Sequence, residues 1–294
     1  MTDILDVSRA LGGLVAASEP SVVLVQGGRS GTTSGTAFGS DLVVTAGEHF
    51  ERENEIAVTA PGGRGAATLV GADPASGIAL LRTAAPLGTL KLADTAALRV
   101  GELVLALART GRGLGARLGV VSRLGGEWRL PGGARFDRYV ETDVTPAPGL
   151  AGSALVTVGG ELVGVNAVGL ARGTLVTLPA RNVARIVESL LLHGRVRRAR
   201  LGVALERVEL PRSVAERLGR RRGLVVLSVV EGGAAEQGGL MLGDVLLAVG
   251  ETPTERVDAL ESALDENAID VEVPVHVLRA GAETHLVLKP EARQ

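Results

Sequence analysis

Short apolar runs dominate the first two thirds of the chain. SVVLVQ at 21–26, LVVTA at 42–46, EIAVTA at 55–60, IALLR at 78–82 and ELVLAL at 102–107 are separated by Gly, Asp and Pro. RLGVVS at 117–122, RYVETD at 138–143, ALVTV at 154–158 and ELVGVNAV at 161–168 continue the series. Strands recurring at intervals of roughly 8–12 residues, with no helices between them, predict a β-barrel or sandwich ending near Pro179.

Helical spacing flanks this region. Residues 2–17 place Ile4, Leu5, Val7, Leu11 and Val15 on a near-helical stripe after Thr2, a candidate cap, while Gly12 and Gly13 weigh against the helix. Val183, Ile186, Val187, Leu190 and Leu191 form a second stripe, which Gly194 stops after His193. The arginine-rich segment 195–200 then reads as an interdomain connection. GLVVLSVV at 223–230 and DVLLAVG at 244–250 read as strands. A helix is predicted over 254–267, capped by Thr254, with Val257, Leu260, Ala263 and Leu264 as its apolar stripe.

Composition narrows the classes. At 294 residues, 46% hydrophobic and 22% charged, the chain is long enough for two packed domains and unlike a disordered one. The 41 glycines suit many tight turns. A net charge of -2 gives no field for nucleic acid or an anionic membrane. With no cysteine, disulfides and Cys-based zinc sites are excluded, and the four histidines have no metal-ligand spacing. No metal or cofactor is therefore expected. Asp3 and Asp6 stand where a signal peptide carries basic residues, and no apolar stretch approaches the roughly 20 residues of a spanning helix. The pattern predicts a chain with neither signal peptide nor membrane span, its compartment left open between cytoplasm and export with a signal already removed.

Four ordered segments carry a family resemblance through the first half. SGTAFGSDLVVTAGEH (34–49) is similar to the stretch leading to the catalytic histidine of the HtrA/Deg trypsin-like serine proteases. DPASGIALLR (73–82) resembles the segment that holds that family's aspartate. LARTGRGLGARLGVVSRLGG (107–126) looks like the intervening loop and strand, and ETDVTPAPGLAGSALVTVGGELVGVN (141–166) resembles the segment that holds its serine. In the last third, GRVRRARLGV (194–203) and EGGAAEQGGLMLGDVLLAVGETP (231–253) resemble an HtrA-type PDZ domain. The resemblance implies a mostly β protein: a helical segment at 1–19, a chymotrypsin-like double β-barrel at 20–180, a connecting helix and linker at 181–196, and an α+β PDZ domain at 197–294.

At the three catalytic places this sequence departs from the pattern. Glu48 stands at the histidine, Gly77 at the aspartate and Ala151 at the serine. Triad chemistry needs a hydroxyl nucleophile, an imidazole to move its proton and a carboxylate to hold the imidazole. An alanine methyl cannot attack a carbonyl, and glycine cannot orient a base. His49 lies one residue late and Ser153 two residues late, so an active enzyme would need a rearranged site. A one-residue slip in a strand turns His49 to the opposite face. Ser153 reads as filling a small-residue place. Gly149, Leu150 and Ala151 form a vestigial oxyanion turn whose plainer role is to keep the turn, and Leu150 in place of the usual asparagine predicts apolar filling.

The resemblance therefore implies an inactive homologue that binds peptides or protein C-termini through its PDZ domain, as adaptor, chaperone or regulator. Its peptide-binding residues would be Leu201, Gly202 and Val203 at the carboxylate loop, Ala204 and Leu205 along the strand, and Val257, Leu260 and Leu264 on the facing helix. Arg198 reads equally as a carboxylate contact and as linker, and Arg200 as a charge for an acidic tail. The family assembles through its protease domains, commonly as trimers, so a homo-oligomer, or mixing with an active HtrA-like relative, is implied. The alternatives are an active endopeptidase using His49 and Ser153, and a structural oligomerisation platform.

Overall fold

The computed structural model describes residues 4–27, 31–47, 55–130, 133–170, 175–264 and 268–292. It divides the chain into two compact units, Met1–Val196 and Arg197–Gln294. The first opens with helix α1 (Ile4–Ser18), which runs straight through Gly12 and Gly13, and a 3-10 turn over Glu19–Ser21. Thr2 lies outside the described residues. Leu11, Leu14 and Val15 seat the helix on the barrels, while Ile4 and Leu5 face outward.

Six strands then close a first barrel: β1 (Val22–Gly27), β2 (Gly31–Ala37), β3 (Leu42–Ala46), β4 (Ile56–Ala60), β5 (Gly63–Asp73) and β6 (Ile78–Thr83), in the order β1-β2-β3-β6-β5-β4. The second barrel takes β7 (Leu103–Thr110), β8 (Gly113–Gly125), β11 (Tyr139–Thr142), β12 (Ala154–Thr157), β13 (Leu162–Ala167) and β14 (Leu175–Pro179), in the order β11-β14-β13-β12-β7-β8. Between β8 and β11 a small hairpin pairs β9 (Trp128–Arg129) with β10 (Arg135–Phe136). There Trp128 stacks on Phe136 and meets Tyr139 edge-on, both at 5.2 Å between ring centres.

The continuous apolar runs in β1 and β7 have a physical cause. Val23 and Val25 fill the first barrel, whereas Val22, one residue out of phase, packs with Leu105 and Leu107 of β7 between the barrels. Val104, Ala106 and Ala108 turn the other way, into the second barrel. Both faces of each strand are covered, so strict apolar–polar alternation disappears. Helix α2 (Ala180–His193) closes the unit, burying Val183, Ile186, Val187 and Leu190. Gly194, in the left-handed conformation at φ 69°, ends it by donating its N–H to the Leu190 carbonyl at 2.8 Å.

The second unit is built on a six-stranded antiparallel sheet. Its path runs β16 (Val203–Glu209), β17 (Arg222–Val229), β18 (Val245–Val249), β20 (Val273–Arg279), β21 (Ala282–Leu288), and β19 (Thr252–Pro253) pairs with β18. Three short helices connect these strands: α3 (Arg212–Leu218), α4 (Ala234–Gln237) and α5 (Val257–Ala263). The core is aliphatic, centred on Leu201, Leu224, Val226, Leu246, Leu260, Val275 and Leu288. Asp244 is buried beneath it, and Arg279 holds it with bonds of 2.8 and 2.7 Å.

Two sequence expectations are corrected here. The segment 195–200 is not wholly a connection: β15 (Ala199–Arg200) pairs with β22 (Glu291–Ala292), Ala199 enters the core, and Arg200 lies 3.9 Å from Glu291. Nor does Thr254 cap a helix. It is fully buried, its N–H is bonded to the Leu247 carbonyl, and the chain bends at Glu255 and Arg256 before α5 starts at Val257, with Arg256 at the cap. Residue 267 lies outside the described residues. Strand β2, made of small polar residues, carries no apolar signal and was invisible to periodicity.

Candidate functional site

Two of the places that the resemblance aligns with the triad, Gly77 and Ala151, lie near the junction of the barrels, where the turn 149–153 meets β2 and β3. Glu48 and His49 lie outside the described residues, but the chain leading to them is fixed. Gly47 donates its N–H to the Gly77 carbonyl at 3.0 Å, and Ala46 pairs with Ile78 across β3 and β6. On the other barrel, Gly152 sits so tightly against Ala46 and Ser34 that an added Cβ would lie 2.8 Å from the Ala46 nitrogen and 2.3 Å from the Ser34 oxygen. Gly77 is left-handed at φ 70°, and a Cβ there would meet nothing within 4 Å. Among the described residues, space is therefore open at the place that the resemblance aligns with the family's aspartate.

The turn 149–153 has nearly all of its carbonyls occupied. The Ser34 hydroxyl donates to the Gly149 oxygen at 2.6 Å and accepts the Arg109 N–H at 2.9 Å. The Ala151 oxygen accepts both the Thr33 hydroxyl, at 2.7 Å, and the Ser34 N–H, at 3.2 Å. The Gly152 oxygen takes the Thr36 hydroxyl at 3.0 Å, and the Ser153 oxygen the Asn166 N–H at 2.8 Å. Strand β2 thus earns its burial through hydroxyls: Ser34 and Thr36 are both fully buried and satisfied across the barrel junction.

Ser153 is equally committed. It is wholly buried, its hydroxyl donates to the Leu150 carbonyl at 2.6 Å and accepts from the Asn166 amide at 2.9 Å. The Thr177 hydroxyl in turn donates to Asn166 at 2.7 Å. A hydroxyl with its proton held by a backbone carbonyl is not presented to a base. Leu150 is 1% exposed and packs into the second barrel's core. The backbone still forms a turn with Gly149 at φ 87°, and among the described residues the N–H groups of Gly149 and Ala151 have no acceptor. The turn thus keeps two unpaired donors, and its one hydroxyl, Ser153, is bonded within the protein.

Arg109, which sequence reading passed over, anchors the junction. Its guanidinium is buried and donates to the Val22 carbonyl and to Glu19, each at 2.8 Å, linking β7 to the start of β1. Beside the second barrel, Tyr139 donates to Glu141 at 2.6 Å. Burial, reinforced by that bond, pushes its hydroxyl up to about 12.

The second unit offers a different kind of site. The Leu201 and Gly202 carbonyls accept the Ala235 and Val230 N–H groups at 2.9 and 2.8 Å, and Gly202 is left-handed at φ 76°. Their own N–H groups have no acceptor among the described residues. From Val203 through Ala204 and Leu205, β16 pairs with β17 on one side and forms the end of the sheet path on the other. Leu260 and Leu264 are buried with Leu201 in one cluster, which Val203 and Leu205 flank, while Val257 at the helix start is 46% exposed. The structure therefore gathers Leu201, Val203, Leu205, Leu260 and Leu264 around one edge. Arg198 is half-buried and has a partner of its own.

The fold and these two sites define a trypsin-type double barrel followed by a PDZ module. Residues 33–165 match the family described as trypsin-like peptidase domain, and residues 199–289 match the PDZ domain family. The periplasmic serine endoprotease DegP of Escherichia coli is 27% identical over 286 residues, spanning 90% of this chain and 60% of DegP. DegP of Salmonella typhimurium is 28% identical, spanning 87% and 58%. The chain thus corresponds to about three fifths of the length of these relatives. The solved HtrA-type protease AlgW with a decapeptide superposes with a TM-score of 0.77 over 97% of this chain and 99% of that one, at 23% identity, and so shares its fold. In domain order, sequence and fold the chain is similar to the HtrA-type trypsin-like proteases that carry a PDZ domain.

Proposed function

We propose that this chain is a catalytically inactive HtrA-like homologue that binds peptides or protein C-termini through the PDZ groove, acting as adaptor, chaperone or regulator. The relatives above are named as active endoproteases. The reading rests first on the alanine at 151, the place that the resemblance gives to the catalytic serine. The buried, doubly bonded Ser153 and the open space at Gly77 support the same reading. Peptide binding is supported by the open β16 edge, by the outward N–H groups of the 201–202 loop, and by a fold shared with a protein solved in the presence of a decapeptide. Assembly as a homo-oligomer, including a trimer, and pairing with an active relative belong to the same proposal. So does the division at residues 180 and 196.

Labelling with a fluorophosphonate, alongside casein digestion, tests the proposal on the protein and on Ser153→Ala. The expected result is no label and no digestion from either. Labelling that vanishes in Ser153→Ala would identify a displaced active site and overturn the inactive reading. No helix among the described residues is long and apolar enough to cross a membrane.

A further inference from the structure

The connection between β16 and β17 carries a cavity of about 630 Å³ whose charged lining is Glu209, Arg212, Glu216, Arg220, Arg221 and Arg222. Four arginines face two glutamates. Glu216 neutralises Arg212 at 2.9 Å, and Glu209 lies 3.5 Å from Arg222. Arg220 uses one guanidinium nitrogen on the Leu247 carbonyl and keeps the rest of its fork. Arg221 is exposed, and its side chain has no hydrogen-bond or ion-pair partner among the described residues. The surplus is positive charge in two guanidinium groups, whose planar forks suit carboxylates in bidentate pairs.

Position gives the surplus a meaning. The open β16 edge starts beside the 201–202 loop and ends at Glu209, on the lip of this cavity. A peptide added antiparallel to β16, with its C-terminus at the loop, advances about 3.3 Å per residue. It reaches Glu209 about six residues before its terminus. Arg207, exposed on the same strand, adds a third cation on that path.

We infer that the cavity is an auxiliary recognition site for acidic side chains of a bound peptide, about six to nine residues upstream of its C-terminus. The inference rests on the groove binding proposed above and goes beyond it. The terminal residues enter the groove, and the upstream carboxylates pair with Arg221 and Arg220. The favoured partner is a chain whose tail is apolar at its end and acidic a short way before it.

Fluorescence anisotropy with labelled decapeptides on the full chain tests this. One peptide has an apolar last residue and Asp or Glu at the four upstream places, a second replaces those acids with Asn and Gln, and a third is the acidic peptide amidated at its C-terminus. The acidic peptide should bind about five- to tenfold more tightly than its amide-bearing counterpart in the upstream places, as two exposed ion pairs allow. That advantage should disappear in Arg221→Glu and shrink with added salt, while the neutral peptide's affinity stays unchanged. Equal binding of the first two peptides would overturn the inference and leave the groove reading standing. Binding of the acidic peptide that survives both C-terminal amidation and Arg221→Glu would overturn both, as would no binding of any peptide.

Discussion

The turn at 149–153 and the loop at 201–203 have the same raw material, glycines with positive φ whose carbonyls are held by neighbouring groups, yet they do opposite things. In the barrel turn the Gly149, Ala151 and Gly152 carbonyls are occupied from β2 of the facing barrel, and the residue at its centre is an alanine. The turn has become a clasp. In the second unit the carbonyls of Leu201 and Gly202 are tied back to Val230 and Ala235, and the adjoining strand keeps an open edge. On the function proposed above, the turn that holds two barrels together is the one without reactivity, and the loop whose backbone has nothing else to hold is the one that binds.

The sharpest way to break this contrast is Gly152→Ala. With φ at 75° and an added Cβ 2.3 Å from the Ser34 oxygen, the substitution forces the barrels apart. The expected loss is on the order of 4 kcal/mol, measured by urea unfolding with circular dichroism. An unchanged midpoint would show that the clasp is not structural. Next in size is Asp244→Asn, which breaks a mostly buried ion pair and should cost about 3 kcal/mol in the second unit, read by hydrogen exchange. Burial alone would push the Asp244 carboxyl up, but the Arg279 guanidinium and the Met241 N–H hold it below the ordinary range. A carboxylate depressed in the folded state contributes stability above its unfolded pKa, and that contribution fades as pH falls through the folded value. The second unit should therefore weaken below about pH 4. In Asp244→Asn that part of the acid sensitivity should be absent. The smallest effect is expected at Gly202→Ala: the nearest atom to an added Cβ is 3.4 Å away, so only the strained φ counts, about 1 kcal/mol. Peptide affinity should fall while the fold persists. Loss of the fold instead would make the loop as structural as the turn.

Most barrel strands were readable from apolar runs, β1 and β7 most clearly because both their faces are covered, but β5 and β14 were not among them. Strand β2 was not, since its buried positions are Ser34, Gly35, Thr36 and Ala37, and a sequence does not show which carbonyls its hydroxyls will find. Ala151 and Gly77 were singled out through the resemblance of their flanking motifs to the HtrA/Deg segments. The commitment of Ser153 could not be read that way, because it depends on Asn166 and Thr177 arriving from other strands. The beginning of α5 was misjudged for the same reason: Thr254 looks like a cap until the Leu247 carbonyl claims its N–H. Arg221 carries no motif, and only the cavity around it makes it notable.

The cluster of Trp128, Phe136 and Tyr139 has an optical consequence. Every Phe, Tyr and Trp of the chain precedes residue 197, so the second unit has no near-ultraviolet chromophore of its own. Absorbance and intrinsic emission report on the first unit alone, and a melting curve recorded that way would show a single step even if the two units came apart at different temperatures. The second unit is a dark background against which one tyrosine, carried in on a peptide, would be seen.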